Sequence, residues 1–133
     1  IGTDKLGSCS VILILSPLGA ILGHVSPLPD GNTSDRNAGD EHVRSFVGRI
    51  TGYYRQCQDL FPANPGSWVV CAVYQGHVAL PDQQRIMEMK LREVGLTPDT
   101  SRTYVVPFSD SHPDRGSVFV DGRGDTIQVY VED

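Results

Sequence analysis

The strongest constraint on the fold of this chain is an apolar run near its beginning that is divided by a turn. Residues 10–15 form a continuous β-favouring run, which is typical of a strand covered on both faces. The next four residues, Ser16-Pro17-Leu18-Gly19, have the chemistry of a turn, and apolar residues resume at positions 20–25. The pattern predicts a buried β-hairpin.

Two amphipathic helices are predicted further along the chain. Behind a candidate N-cap at Asp40, apolar residues recur at helical spacing as far as Pro62, which stops the helix. A second helix opens at Pro81, where proline is tolerated in the first turn, and Gly95 ends it. We therefore expect one long and one shorter helix, each burying one face.

Further strands are predicted between and after the helices. Residues 67–74 have the pattern of another doubly covered strand, and residues 104–106 continue as a short one. Residues 118–121 and 126–131 alternate around the turn at 122–125, which predicts a terminal hairpin. The order β, β, α, β, α, β, β, β predicts an α+β (mixed α/β) fold, a layered sandwich of mixed β-sheet with helices packed outside, in a single domain spanning residues 1–133.

Composition excludes several classes of function. The net charge is −5, and the eleven Lys and Arg residues are scattered, which argues against binding to nucleic acid or to an anionic membrane surface. The longest apolar stretch is about a dozen residues, too short for a bilayer span. The three cysteines cannot form a closed disulfide set, and their spacing is not that of a zinc site. We expect no metal and a reducing, cytoplasmic compartment.

Cys9 is the candidate nucleophile. It follows Leu6-Gly7-Ser8 at the mouth of the first strand, where neighbouring amide hydrogens can point toward a developing oxyanion. A hairpin centred near Pro17 places residues 9 and 24 opposite each other, about 4.5–5.5 Å apart at Cβ. His24 would then be the base. The structural alternative is that Cys9 is a small buried hydrophobe and His24 a solvated loop residue.

Two segments resemble the signature of the CheD family of chemoreceptor glutamine deamidases. The first is Thr3-Asp4-Lys5-Leu6-Gly7-Ser8-Cys9-Ser10, and the second is Gly23-His24-Val25-Ser26-Pro27-Leu28-Pro29 after the apolar strand. The similarity continues at lower specificity over nearly the whole chain. The CheD family belongs to a wider superfamily of layered α/β cysteine hydrolases that includes the catalytic domain of cytotoxic necrotizing factor.

The resemblance implies a chemistry and a role for each residue. Cys9 would be the nucleophile, His24 the base, and Thr3 the residue that orients His24 by a hydrogen bond. The implied reaction is hydrolysis of a glutamine carboxamide on a protein partner through a thioester, with release of ammonia and without a metal or other cofactor. The alternatives are an amidase acting on asparagine or on a small amide, and a catalytically inactive interaction module with the same fold.

Two further features bear on the surroundings of this site. The polar segment at 30–39 is predicted to be a surface loop in which specificity resides. His77 and His112 fall in predicted loops and are weaker candidates for lining the same cleft, whereas Cys57 and Cys71 are predicted to be structural. The sequence does not define the oligomeric state.

Overall fold

The computed structural model describes residues 1–29, 35–62, 64–106 and 115–133. The strands are β1 (Gly2–Thr3), β2 (Ser10–Ser16), β3 (Gly19–Val25), β4 (Gly66–Tyr74), β5 (His77–Val78), β6 (Thr103–Val105), β7 (Ser117–Asp121) and β8 (Gln128–Glu132). The helices are α1 (Ala38–Gln56) and α2 (Pro81–Glu93), and a 3₁₀ turn spans Gln58–Leu60. This content confirms the predicted α+β fold class.

The strands form two sheets. The larger sheet has the order β3-β2-β4-β5, with β6 also pairing to β4, and the smaller sheet has the order β1-β7-β8. The pairing of β4 with β6 is parallel, whereas the other strand pairs are antiparallel. The larger sheet is therefore mixed, as predicted.

The larger sheet is the middle of three layers. Strand β2 is buried along its whole length, because alternate side chains point to opposite faces and both faces are covered. Ile12 and Ile14 pack with α1 and α2 on one face, in a cluster that also holds Val47 and Leu91. The opposite face packs against the smaller sheet in a second cluster, which contains Leu6, Val11, Leu13, Leu15, Val70, Ala72, Tyr104, Val118 and Val120.

The contact between α1 and β3 is close enough to restrict one sequence position. A Cβ atom added at Gly23 would lie 2.2 Å from Ile50 Cδ1 of α1. Glycine at position 23 therefore lets the helix pack directly on the strand that carries His24. The next residue points to the other face, so His24 faces the smaller sheet.

The N-terminal hairpin forms as predicted, but its register differs by two residues from the predicted one. Ser16 pairs with Gly19, which leaves Pro17 and Leu18 as a two-residue loop. The Ser16 hydroxyl fixes this turn, because it accepts hydrogen bonds from the amides of Leu18 at 3.0 Å and Gly19 at 3.2 Å. The centre of the hairpin thus lies after Pro17, which shifts every cross-strand partner.

The boundaries of several elements differ from the predictions. Helix α1 begins at Ala38 after Asn37, so Asp40 lies inside the first turn and is not the N-cap. There its carboxylate is favourably placed near the positive end of the helix dipole. Strands β1 and β5 have two residues each, and two residues are too few for a periodic pattern to predict.

Some sequence predictions fall on residues outside the described ranges. These are His112 and the part of the polar loop at positions 30–34. In the part of the chain that the structure describes, neither helix combines the length and the apolar character needed to cross a membrane.

Candidate active site

Cys9 stands at the end of a tight turn that is held by the smaller sheet and its connection. The amides of Leu6 and Gly7 donate to the carbonyl oxygens of Gly116 and Arg115, at 3.2 and 2.9 Å. Cys9 N then donates to Leu6 O at 2.7 Å, which closes the turn. Gly7 has a φ of 61°, a left-handed conformation that glycine adopts without strain.

Leu6 anchors the same turn, because its side chain is buried between the two sheets. An apolar side chain inserted into this core, together with the backbone hydrogen bonds, fixes where the chain emerges into β2. Ser8 is exposed, and Cys9 is half-buried. The nucleophile candidate therefore lies on a firmly held segment and is still accessible from outside.

Tyr104 of β6 fixes the backbone of Cys9 directly. Its hydroxyl donates to the Cys9 carbonyl oxygen at 2.6 Å, and its side chain is fully buried. Burial raises the pKa of the Tyr104 hydroxyl well above its ordinary value, so the hydroxyl keeps the proton that it donates. The ring lies so close to Gly116 that a Cβ atom there would be 2.6 Å from ring carbon Cδ2, and Gly116 has a φ of 106°.

Thr3 and His24 meet across the space between the two sheets. Thr3 pairs with Val118 of β7, and cross-strand partners share a face, so Thr3 points into the same inter-sheet core as Val118. His24 reaches this space from β3. Thr3 Oγ1 and His24 Nδ1 are 2.8 Å apart and are hydrogen-bonded.

This hydrogen bond fixes the orientation of the imidazole ring. In the tautomer in which Nδ1–H donates to Thr3 Oγ1, the lone pair lies on Nε2, as a general base requires. The two residues are 21 positions apart and belong to different sheets. The structure thus brings together two of the three residues that the CheD resemblance assigns to the site.

Cys9 and His24 are not directly opposite each other, which corrects the sequence expectation. His24 pairs with Val11, and the last pair of the ladder is Ser10 with Val25. Continuing this register by one residue on each chain places Ser26 opposite Cys9. His24 is therefore the diagonal neighbour of Cys9 on the same face of the hairpin, a relation that separates Cα atoms by about 7–8 Å and that long side chains can bridge.

The side chain of Ser26 lies beside the Cys9 thiol and favours its ionised form. Among the described residues, no hydrogen bond joins Cys9 Sγ to His24. Burial raises the pKa of Cys9 above its ordinary value, and Ser26 opposes this only in part. A thiol that is activated before substrate binds has a lowered pKa, whereas burial raises the pKa of Cys9 here.

The backbone amides around Cys9 offer less to an oxyanion than the sequence suggests. The amides of Leu6, Gly7 and Cys9 are all engaged in the hydrogen bonds that form the turn. Within the described residues, the amide of Ser8 has no such backbone partner. Ser8 is exposed, so its N–H is the donor of this turn that a substrate oxygen can reach.

Ser26 and Tyr104 are the contributors to this site that the sequence reasoning missed. Ser26 lies two residues after His24, and the correct hairpin register would have found it. Tyr104 is 95 positions away from Cys9, and a single tyrosine in a short strand carries no signal of such a contact.

Of the cavities that the described residues form, one lies beside this site and another lies far from it. A shallow cavity of about 450 Å³ borders Thr3 and Phe119 on the smaller sheet. A cavity of about 600 Å³ is lined by Ser67, Tyr54 and Leu96, near the end of β2 remote from Cys9.

The other candidate residues lie apart from Cys9 or in the core. Cys71 is buried and accepts a hydrogen bond from Ser10, and burial raises its pKa to about 11. Cys57 is exposed after the end of α1 rather than packed on its apolar face. His77 lies exposed in β5, paired with Tyr74. No group of three or more His, Cys, Asp or Glu side chains in the described ranges is arranged to hold a metal ion.

Comparison with known proteins identifies no relative. No protein-family model, no curated protein and no solved structure matches this chain. The function must therefore be inferred from the arrangement of these residues.

Proposed function

We propose that this chain is a cysteine-dependent amidohydrolase that deamidates glutamine side chains of a protein partner. The observation that carries the proposal is the hydrogen bond between Thr3 and His24, which orients an imidazole on the face of the hairpin where Cys9 lies. The resemblance of the segments around Cys9 and His24 to the CheD signature supports the same chemistry. Both point to a thiol nucleophile with an oriented base.

In the proposed reaction His24 accepts the thiol proton while Cys9 attacks. Sγ forms a bond to the carboxamide carbon, and the carbonyl oxygen takes up the negative charge beside the Ser8 amide. His24 then gives its proton to the amide nitrogen, the C–N bond breaks and ammonia leaves. Water attacks the resulting thioester with His24 again accepting a proton. The C–S bond breaks, the thiol regains its proton, and the product is a carboxylate.

The position of Cys9 favours a side chain of a protein as substrate. Cys9 is half-buried just before the start of β2, and the neighbouring Ser8 is exposed. A carboxamide at the tip of a protruding glutamine can reach a half-buried thiol beside an exposed residue. Asparagine and small amides remain the alternative substrates within the same chemistry, and the assay below separates them.

A test of this proposal measures ammonia release from glutamine-bearing proteins and peptides, from asparagine-bearing peptides and from small amides. Wild type is compared with Cys9→Ala, and mass spectrometry locates the residue in which an amide NH₂ has become OH. We expect release from glutamine substrates by wild type and none by Cys9→Ala. Cys57→Ala is the matched control, because Cys57 is an exposed cysteine remote from the site in sequence and should be dispensable.

A second candidate function is a non-catalytic interaction module with the same fold. The observation that favours it is the thiol of Cys9, whose pKa is raised by burial and which has no hydrogen bond to His24 among the described residues. Absence of Cys9-dependent ammonia release over the whole substrate panel would support this candidate and contradict the enzyme.

We also propose that the protein works in a reducing compartment such as the cytoplasm. Cys9, Cys57 and Cys71 are all free thiols, and Cys57 is exposed. Exposed free thiols are readily oxidised outside reducing compartments.

A further inference from the structure

The hydroxyl of Ser26 has more contacts at the site than the sequence reasoning assigns to it. It donates to Leu28 O at 2.8 Å and accepts from Leu28 N at 3.4 Å, which holds the segment after β3 in a turn. The same side chain lies beside the Cys9 thiol, where it lowers the pKa of the thiol against the effect of burial. One hydroxyl therefore connects the candidate nucleophile to the segment that follows the candidate base.

The location of Ser26 follows from the register of the hairpin. Ser10 and Val25 are the last paired residues of β2 and β3, so Cys9 and Ser26 are the next residues on each chain. Because side chains alternate along a strand, Ser26 points to the same face as His24. A thiol held by Ser26 is therefore held on the side of the hairpin where the imidazole lies.

The hydrogen-bond inventory of a hydroxyl fits both protonation states of the thiol. A hydroxyl has one hydrogen to donate and two lone pairs to accept with. While its hydrogen points to Leu28 O, Ser26 Oγ can accept from the Cys9 S–H. When the thiol loses its proton, rotation of the hydroxyl turns the hydrogen toward the sulfur, and a hydrogen bond to a charged acceptor is stronger than one between neutral groups.

We propose that Ser26 is a positioning residue for Cys9: its hydroxyl holds the thiol beside His24 and donates to the thiolate during the attack. This inference rests on the proposed function of Cys9 as a nucleophile. Among the described residues, His24 on β3 and Tyr104 on β6 are titratable groups near the thiol, whereas Cys71 on β4 lies in the core cluster on the other face of the sheet. Neither replaces Ser26, because His24 bonds to Thr3 and Tyr104 donates to the Cys9 carbonyl oxygen.

The experiment compares Ser26→Thr with Ser26→Val, two side chains of nearly the same shape that differ by a hydroxyl. The pH dependence of alkylation by iodoacetamide is followed at each cysteine separately by mass spectrometry. We expect Ser26→Val to raise the apparent pKa of Cys9 and so to lower its alkylation rate near neutral pH about tenfold, and Ser26→Thr to restore the wild-type profile. Exposed Cys57 in the same molecules is the internal control and should not change.

A purely structural role for Ser26 predicts a different result. Loss of the turn at Leu28 would lower the melting temperature of Ser26→Val without moving the pH profile of Cys9. Equal apparent pKa values for Cys9 in the threonine and valine variants would therefore overturn the proposal. Ser26→Ala gives the same comparison with wild type if the branched side chains disturb folding.

The alkylation profile tests the role of Ser26, and the deamidation assay tests the proposed function, so the failure of one is distinguishable from the failure of the other. Alkylation of Cys9 needs no substrate, so it tests Ser26 even if no variant releases ammonia, a result that would count against the proposed function alone. Where ammonia is released, Ser26→Val should lower kcat about tenfold with KM unchanged, because the hydroxyl acts on the nucleophile and not on substrate binding. A rise in KM with kcat unchanged would contradict the positioning role.

Discussion

Replacing Tyr104 by phenylalanine should separate the position of the nucleophile from the packing around it. The substitution deletes the hydroxyl that donates to the Cys9 carbonyl oxygen at 2.6 Å. It keeps the ring that packs against Gly116 and Leu6. The fully buried side chain therefore loses one hydrogen bond and no apolar contact.

The expected loss of stability depends on the Cys9 carbonyl group, which is left without its hydrogen-bond donor. A buried carbonyl without its donor destabilises a protein by about 1–3 kcal/mol. Cys9 is only half-buried, so water can partly replace the tyrosine, and we expect the lower end, about 1–1.5 kcal/mol. With an unfolding entropy of about 2 cal/mol/K per residue over 133 residues, the melting temperature should fall by about 4–6 °C.

The effect on turnover should exceed the effect on stability. The hydroxyl fixes the backbone of the nucleophile, and a displacement of the reacting atom by about 1 Å can lower a rate about a hundredfold. Urea unfolding of wild type and Tyr104→Phe gives the free energy of unfolding, and ammonia release gives the rate. Unchanged stability, or a loss of turnover no larger than the change in folded fraction, would refute the reasoning.

Three further predictions follow from the same contacts. Thr3→Val removes the partner of His24 and should lower turnover about tenfold to a hundredfold, whereas Thr3→Ser should retain it; equal rates in the two variants would contradict the orienting role. His24→Ala should abolish ammonia release but change iodoacetamide alkylation of resting Cys9 by less than about threefold, because no His24 hydrogen bond to the thiol is present at rest among the described residues. A parallel fall in both rates would indicate a pre-formed ion pair. Burial raises the pKa of Cys71 from 9.0 to about 11, so the folded state holds this proton more tightly than the unfolded state does. The free energy of unfolding should therefore fall as the pH rises from 9 to 11. Urea unfolding over this pH range should show a smaller fall for Cys71→Ala than for wild type.

The sequence predicts the α+β class of this fold because its central strands are covered on both faces, but it does not predict that a second sheet covers one of those faces. A run such as residues 10–15 has few alternatives to a buried strand, and the turn at Ser16-Pro17-Leu18-Gly19 makes the hairpin a local event. The helices are also predicted from local sequence, because each has one apolar face. What the sequence does not contain is a periodic signal for β1, and without β1 there is no strand from which Thr3 can reach His24.

The register of the hairpin is the step at which sequence reasoning about the site fails. A two-residue shift preserves which side chains share a face, so Cys9 and His24 remain on the same side of the sheet. It changes which of them are opposite, and it places Ser26 across from Cys9 instead of His24. The register depends on the Ser16 hydroxyl, because its hydrogen bonds with the amides of Leu18 and Gly19 fix a two-residue loop.

The raised pKa of Cys9 and a catalytic role for it are compatible if the base acts during the attack. A thiol that ionises before substrate arrives needs a nearby positive charge, and burial opposes that ionisation here. A thiol that transfers its proton while the S–C bond forms needs only an oriented imidazole on the same face, and the hydrogen bond with Thr3 orients His24 there. Burial then keeps the thiol protonated and less reactive toward adventitious electrophiles until a carboxamide is bound.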